Sequence, residues 1–162
     1  MAPAYEEHDP PDANPVGLVR EHARGKALSV HEPGRVTLGV DTTVHLDGRV
    51  YGKAPDEEAA TGVLRELAGR AHEVVSGLCL LTDRSEDVEH EATRVRFRRL
   101  DENEIRSYVA SGEWRSRAGG YAIQGLGARL VEAVEGDYLN VVGLPGALLV
   151  ELLRRRAPSL LG

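Results

Sequence analysis

Val36-Thr37-Leu38-Gly39-Val40-Asp41-Thr42-Thr43-Val44-His45-Leu46-Asp47-Gly48-Arg49-Val50-Tyr51-Gly52-Lys53 reads as a hairpin. Val36, Leu38 and Val40 alternate with Thr37 and Gly39, which is strand periodicity, and the strand runs on through Val44 and Leu46. Asp47-Gly48 is a tight-turn dipeptide, and Arg49-Val50-Tyr51 is the return strand that delivers Gly52-Lys53 beside its partner. One carboxylate, that of Asp41, interrupts an otherwise largely apolar and β-branched run. A carboxylate there is costly unless it is paired, hydrogen-bonded or turned toward a cleft.

Helices flank this hairpin. On the N-terminal side, Asn14-Pro15 supplies a cap and a first-turn proline, and Val16, Val19, Ala23 and Ala27 recur with helical spacing as far as Val30. On the C-terminal side, Ala60, Val63, Leu64 and Leu67 predict a helix of about four turns that Gly69 stops. From His72 to Thr82 an apolar run predicts a buried strand. A polar turn over Asp83 to Asp87 leads to a half-exposed strand through Val95 and Phe97. Asp101 and Glu104 form a capping box ahead of Ile105, Tyr108 and Val109. Leu130 to Val134 and Tyr138 to Val142 predict a second hairpin around Glu135-Gly136-Asp137, and Pro145 to Arg156 a closing amphipathic helix. The expected fold is α/β, a mixed twisted sheet flanked by helices. Residues 1–13 form an extended or disordered lead-in, residues 14–157 a single domain, and residues 158–162 a tail.

Composition narrows the function. The chain has 162 residues, 41% apolar, which suffices for one core. A net charge of −6 and a pI near 5.5 argue against a nucleic-acid backbone as partner. Arg154-Arg155-Arg156 reads as the cationic end of a helix. Cys79, the single cysteine, has no internal disulfide partner and reads as a core thiol in a reducing cytoplasm. No apolar run reaches the roughly 18 residues a membrane helix needs. The six histidines show no metal-ligand spacing, and neither a phosphate-binding P-loop motif nor a nucleophile elbow is present.

The chemistry-bearing residues are few. Asp41 has the reactivity of a general base or a metal ligand, unless it merely caps a turn. Lys53, after a glycine, is either a phosphate-neutralising ammonium or a solvated lysine. Lys26 has the same two readings, with the helix C-terminus favouring a cation in any case. Thr42 can offer a hydroxyl to a base or phosphate, although threonine in a strand needs no special reason. Gln124, in Tyr121-Ala122-Ile123-Gln124-Gly125, carries donors and an acceptor that suit a pyrimidine edge or simply the local backbone.

In order and spacing, these stretches resemble the Maf family of septum-formation-inhibitor-like nucleoside triphosphate pyrophosphatases. The resemblance rests on Gly39-Val40-Asp41-Thr42, Leu46-Asp47-Gly48 and Gly52-Lys53. It is reinforced by Leu67-Ala68-Gly69-Arg70, by Ala118-Gly119-Gly120-Tyr121-Ala122-Ile123-Gln124-Gly125, and by the run from Gly136 to Pro145. It implies a Maf/ITPase-like fold and cleavage of a nucleoside triphosphate to the monophosphate and pyrophosphate with Mg²⁺ or Mn²⁺. By the same resemblance Asp41 is the proton acceptor, Lys53 and Lys26 bind substrate, and Glu7 joins Asp41 at the metal. Thr42 and Gln124 match positions of base choice in the dTTP/UTP branch, and the resemblance implies a homodimer, while the composition implies a cytoplasmic protein. Two departures stand out. Gly52-Lys53-Ala54 replaces the family's Gly-Lys-Pro. The family's opening strand and Ser-x-Ser-x-Arg-Arg loop precede the point where this chain starts, which predicts a missing first strand and weaker transition-state stabilisation, by about 2 to 4 kcal/mol per charge-clamping residue. That absence raises a rival expectation, a non-catalytic nucleotide-binding or cell-division regulatory protein. A third is hydrolysis of a modified purine triphosphate.

Overall fold

Asn14 starts the first helix as its sequence demands: its side chain accepts from Gly17 N at 2.9 Å, and α1 runs over Pro15–Val30. The computed structural model describes residues 4–162, so residues 1–3 of the expected lead-in lie outside it. Residues 4–10 have no helix or strand, but they are tied to the domain. Pro11 O accepts from Val50 N, and Tyr5 packs edge-on against His22.

Strand β1 (Thr37–Leu46) turns at Asp47-Gly48, both with positive φ, into β2 (Arg49–Tyr51). Helix α2 (Glu57–Leu67) is capped by Asp56 and spans about three turns, one fewer than expected, because Gly69 takes a left-handed φ of 68° and ends it. Strands β3 (Ala71–Thr82) and β4 (Ser85–Phe97) follow. Their turn is shorter than the expected Asp83 to Asp87, because Thr82 Oγ1 accepts from both Arg84 N and Ser85 N and closes it within two residues. Asp101 and Glu104 form the expected capping box of α3 (Glu102–Ala110). A 3₁₀ turn (Leu126–Leu130) leads into β5 (Val131–Glu135).

The second expected hairpin is not formed. Tyr138–Val142 is a short helix, α4, capped by the Asp137 side chain on Leu139 N and ended by Gly143 at φ 121°. Its Asn140 is fully buried and donates to Val74 O and Thr93 Oγ1, each at 3.0 Å, a tertiary anchor that fixes the helical turn on the sheet. Helix α5 (Gly146–Arg156) follows.

The sheet order is β2-β1-β3-β4-β5, antiparallel at every pairing among the described residues, within the expected α/β class. Leu64, Leu67, Val95, Phe97, Tyr108 and Leu130 form the main core under α2 and α3. Ala23 and Ala27 of α1 pack on Cys79 and Leu81. Leu152 of α5 packs on Leu78 and Leu80. Burial pushes the Cys79 thiol up to about 11, the behaviour of an unreactive core residue. Among the described residues no helix is long and apolar enough to cross a membrane. One geometric detail positions the site. β2 pairs with β1 only at Val44 to Leu46, so among the described residues the stretch before Val44 is an open sheet edge.

His72 is a fully buried polar group of the core. It bonds the Tyr121 hydroxyl at 2.8 Å and stacks edge-on against Phe97, and burial holds its imidazole down at about 4. The unfolded chain takes up that proton near pH 6.5. Between about pH 6.5 and 4 the unfolded state therefore binds more protons, and stability falls as pH drops through that window. The double variant His72→Phe/Tyr121→Phe removes both polar partners together. Its loss of unfolding free energy between pH 7.5 and 5.0, read from urea midpoints, is expected to be about 2 kcal/mol smaller than that of the native chain. An unchanged pH slope would mean that His72 is charged in the folded state.

Candidate active site

Asp41 sits on the open edge of β1 with its carboxylate nearly buried, and two donors from α1 hold it. Lys26 Nζ donates to Oδ1 at 2.6 Å and His22 Nδ1 to Oδ2 at 3.3 Å. His22 and Lys26 are four residues apart, one turn on one helix face, so α1 delivers both to the strand. Close approach of helix and sheet makes this possible. Asp41 pairs with Gly77 across the sheet, and a Cβ on Gly77 would lie 2.2 Å from Val19 O of α1. Gly39 has the same role, with Ala23 O at 2.0 Å from its ideal Cβ.

The network continues outward. Lys26 Nζ also lies 2.6 Å from Glu7 Oε1, and Lys53 Nζ lies 2.8 Å from Glu7 Oε2. Behind the site, Asp9 Oδ1 is 3.6 Å from His22 Nδ1. Desolvation would raise the Glu7 carboxyl, but the hydrogen bonds and charges of Lys26 and Lys53 outweigh it and hold it at about 2. Desolvation would lower the Lys26 ammonium, but Asp41 and Glu7 outweigh it and hold it above its ordinary value. Glu7 is therefore anionic and Lys26 cationic throughout the neutral range.

A second module closes the cleft. Lys53 pairs with Ala118 in an isolated antiparallel bridge, and Gly119 N donates to Tyr51 O at 3.1 Å. Gly119 must be glycine: its φ is 65°, and a Cβ would meet Val44 Cγ2 at 2.6 Å. Beyond it, Glu113 accepts from Leu126 N, Gly127 N and the Tyr108 hydroxyl, while that hydroxyl accepts from Ala122 N. These bonds fix the turn that carries Gln124, whose exposed amide is engaged by no hydrogen bond among the described residues. Thr42 Oγ1 lies 2.8 Å from Ser76 Oγ, on the sheet face opposite α1 and close to Gly143.

The resulting cleft, of about 240 Å³, is lined by Asp41, Lys26, Lys53, Thr42 and Gln124 together, and Glu7 spans its two lysines. The residues singled out from sequence thus converge on one place. Sequence reasoning missed His22, Asp9 and Glu113 as supports and Arg117 as a lining residue. His22 was legible only as the residue one turn before Lys26.

Among the described residues no three His, Cys, Asp or Glu side chains are grouped to hold an ion by themselves. A divalent cation that arrives on a polyphosphate needs less, one or two carboxylates with the rest from water and phosphate. Asp41 and Glu7 are the carboxylates that could supply these, since one oxygen of each lies 2.6 Å from the same Lys26 nitrogen, which a cation would displace.

Two carboxylates and two ammoniums meet around an open strand edge, faced by an unengaged amide, an arrangement suited to a charged ligand with a hydrogen-bonding head group. Comparison with known sequences agrees in kind. The family described as Maf, Maf-like protein, matches residues 1–156, and the chain belongs to it. It is 42% identical over 144 residues to a Pyrococcus furiosus protein named dTTP/UTP pyrophosphatase, covering 88% of this chain and 76% of that one. A Gloeobacter violaceus protein of the same name is 46% identical over 152 residues, covering 93% and 80%. One from Aquifex aeolicus is 40% identical over 156 residues, covering 95% and 82%.

Proposed function

We propose that this chain is a nucleoside triphosphate pyrophosphatase that hydrolyses dTTP and UTP type substrates to the monophosphate and pyrophosphate. The observation that carries the reading is the Asp41, Lys26, Glu7 and Lys53 network at the mouth of a cleft that also presents Gln124. Asp41 accepts a proton from the water that attacks the α-phosphorus, and the bond from that phosphorus to the bridging oxygen breaks. Lys26 leaves its carboxylates for phosphate oxygens as substrate enters, and Lys53 does the same from Glu7, so both ammoniums face the departing pyrophosphate. His22 keeps the Asp41 carboxylate oriented when Lys26 is drawn away. A divalent cation, Mg²⁺ or Mn²⁺, held by Asp41 and Glu7 would neutralise phosphate charge. Thr42 and Gln124 select the base. We extend the proposal to a cytoplasmic enzyme acting on free nucleotides, supported by buried, unpaired Cys79 and by the acidic balance of −6. A homodimeric state follows from the family resemblance alone. The non-catalytic alternative is not favoured, because the relatives cited carry an enzyme's name and the base, ammoniums and amide all converge here.

The test is product analysis with dTTP, UTP, GTP and 7-methyl-GTP in Mg²⁺. Pyrophosphate and monophosphate are expected from dTTP and UTP. Gln124→Ala is expected to lower kcat/KM for these two by about tenfold or more, the worth of a lost base hydrogen bond, and to leave slow GTP turnover unchanged. Release of orthophosphate and the diphosphate would overturn the reaction. A purine preference indifferent to Gln124 would overturn the base assignment.

A further inference from the structure

We propose that Arg117 is a substrate-binding residue of this cleft, a guanidinium clamp on the phosphates that depart as pyrophosphate; the inference rests on the pyrophosphatase reading above. Charge balance points to it first. Asp41 and Glu7 already cancel Lys26 and Lys53, so the network as a whole offers no net positive charge. A triphosphate remains anionic even with one divalent cation bound, and such a substrate calls for a further cation. Three cations line the cleft, Lys26, Lys53 and Arg117, and of these Arg117 makes no ion pair among the described residues.

Of the arginines that make no ion pair among the described residues, Arg117 is the one that lines the cleft. Arg24, Arg65, Arg98 and Arg156 each bond a carboxylate on the surface. Glu113, whose carboxyl is held low against desolvation mainly by hydrogen bonds from Leu126 N, the Tyr108 hydroxyl and Gly127 N and last by the charge of Arg117, has its oxygens committed to those three donors. The Arg117 guanidinium is therefore left for something outside the chain.

Its backbone, by contrast, is fixed on both sides. Arg117 N donates to Trp114 O at 3.2 Å and Gly120 N donates to Arg117 O at 3.1 Å. The next residue, Ala118, forms the isolated bridge to Lys53, so Arg117 is the sequence neighbour of Lys53's bridge partner. The preceding residue, Ser116, also lines the cleft and has φ 61°, a left-handed conformation that a non-glycine residue adopts at a cost. A held backbone and an unpaired guanidinium at the cleft together suit a phosphate ligand. Arginine suits the task because its planar fork can bond two phosphate oxygens at once, where a lysine supplies a point charge.

The experiment compares the full chain with Arg117→Ala and Arg117→Lys by two readouts. One is kcat/KM for dTTP with Mg²⁺. The other is the Kd of inorganic pyrophosphate with Mg²⁺ by calorimetry, which needs no turnover. Arg117→Ala is expected to lose about 100-fold in kcat/KM and to weaken pyrophosphate binding in step, with an unchanged melting temperature because the side chain is exposed. Arg117→Lys is expected to fall between. Native-like turnover and pyrophosphate affinity in Arg117→Ala would overturn the clamp while leaving the pyrophosphatase reading intact. Weakened thymidine monophosphate binding with intact pyrophosphate affinity would overturn it in favour of a base contact. If the native chain hydrolyses no nucleotide, the pyrophosphatase reading fails, and pyrophosphate affinity alone decides for or against Arg117.

Discussion

Asp41→Asn is expected to abolish pyrophosphate release, by at least about 10³-fold in kcat, while leaving the protein folded. The two halves of that expectation have separate causes. Asparagine keeps the shape of the side chain, and its carbonyl oxygen can still accept from Lys26. Its amide would face His22 Nδ1, which accepts a hydrogen bond in the other neutral tautomer, so no buried polar atom is orphaned. Nor is Lys26 stranded, since Glu7 Oε1 stays at 2.6 Å. Removing one partner of a buried pair usually costs 3–5 kcal/mol because a lone charge is left behind. Here a second carboxylate spares most of that loss. Catalysis has no such reserve. An amide cannot take a proton from water, so the substitution removes the proton acceptor of the proposed mechanism. A factor of 10³ is about 4 kcal/mol of barrier. Steady-state kcat and urea midpoints measured together check both halves. Retained turnover would move the general base elsewhere, and a collapsed midpoint would show that Asp41 is structural.

Much of this arrangement is legible in the amino-acid sequence alone. The β1–β2 hairpin is legible because strand alternation and Asp47-Gly48 agree, and the Asp101 to Glu104 capping box because its side-chain chemistry is local. Tyr138–Val142 is not legible in that way. Tyr-Leu-Asn-Val-Val has strand composition, while the helix signals around it, Asp137 before and Gly143 after, are single residues. What tips the balance is Asn140, which finds its partners on β3 and β4, far away in sequence. The site divides likewise. Asp41 is a lone carboxylate within an apolar strand, and Lys53 and Gln124 stand beside glycines at a strand end and in a turn, where residue type and position suggest chemistry. His22 sits 19 positions from Asp41 in an ordinary helix, and only packing reveals the contact. Glu113 acts through the backbone amides of residues 126 and 127, which carry no sequence signature.

Gly77→Val should be among the most damaging single changes in the sheet, because it attacks the distance between α1 and the strands. A Cβ at position 77 would lie 2.2 Å from Val19 O, 2.5 Å from Val19 C and 2.8 Å from Arg20 N. These are backbone atoms of a helix, and no rotamer change removes them. α1 must therefore lift, and it carries buried Val19, Ala23 and Ala27 out of contact. Overpacking of this kind costs about 3 kcal/mol or more. The damage to activity is distinct. Asp41 is the cross-strand partner of Gly77, and Lys26 and His22 reach Asp41 from the helix that lifts. A displacement of about 1 Å in a catalytic constellation costs roughly 100-fold in rate, so kcat of whatever folded protein remains should fall by that order. Gly62→Ala is the control. That glycine lies inside α2 with no atom within 4 Å of an ideal Cβ, and alanine there should raise stability by about 1 kcal/mol without touching kcat. Urea midpoints and kcat for the pair separate loss of glycine as such from loss of the helix–sheet approach. A Gly77→Val protein as stable and active as the native one would mean that α1 does not set the geometry of Asp41.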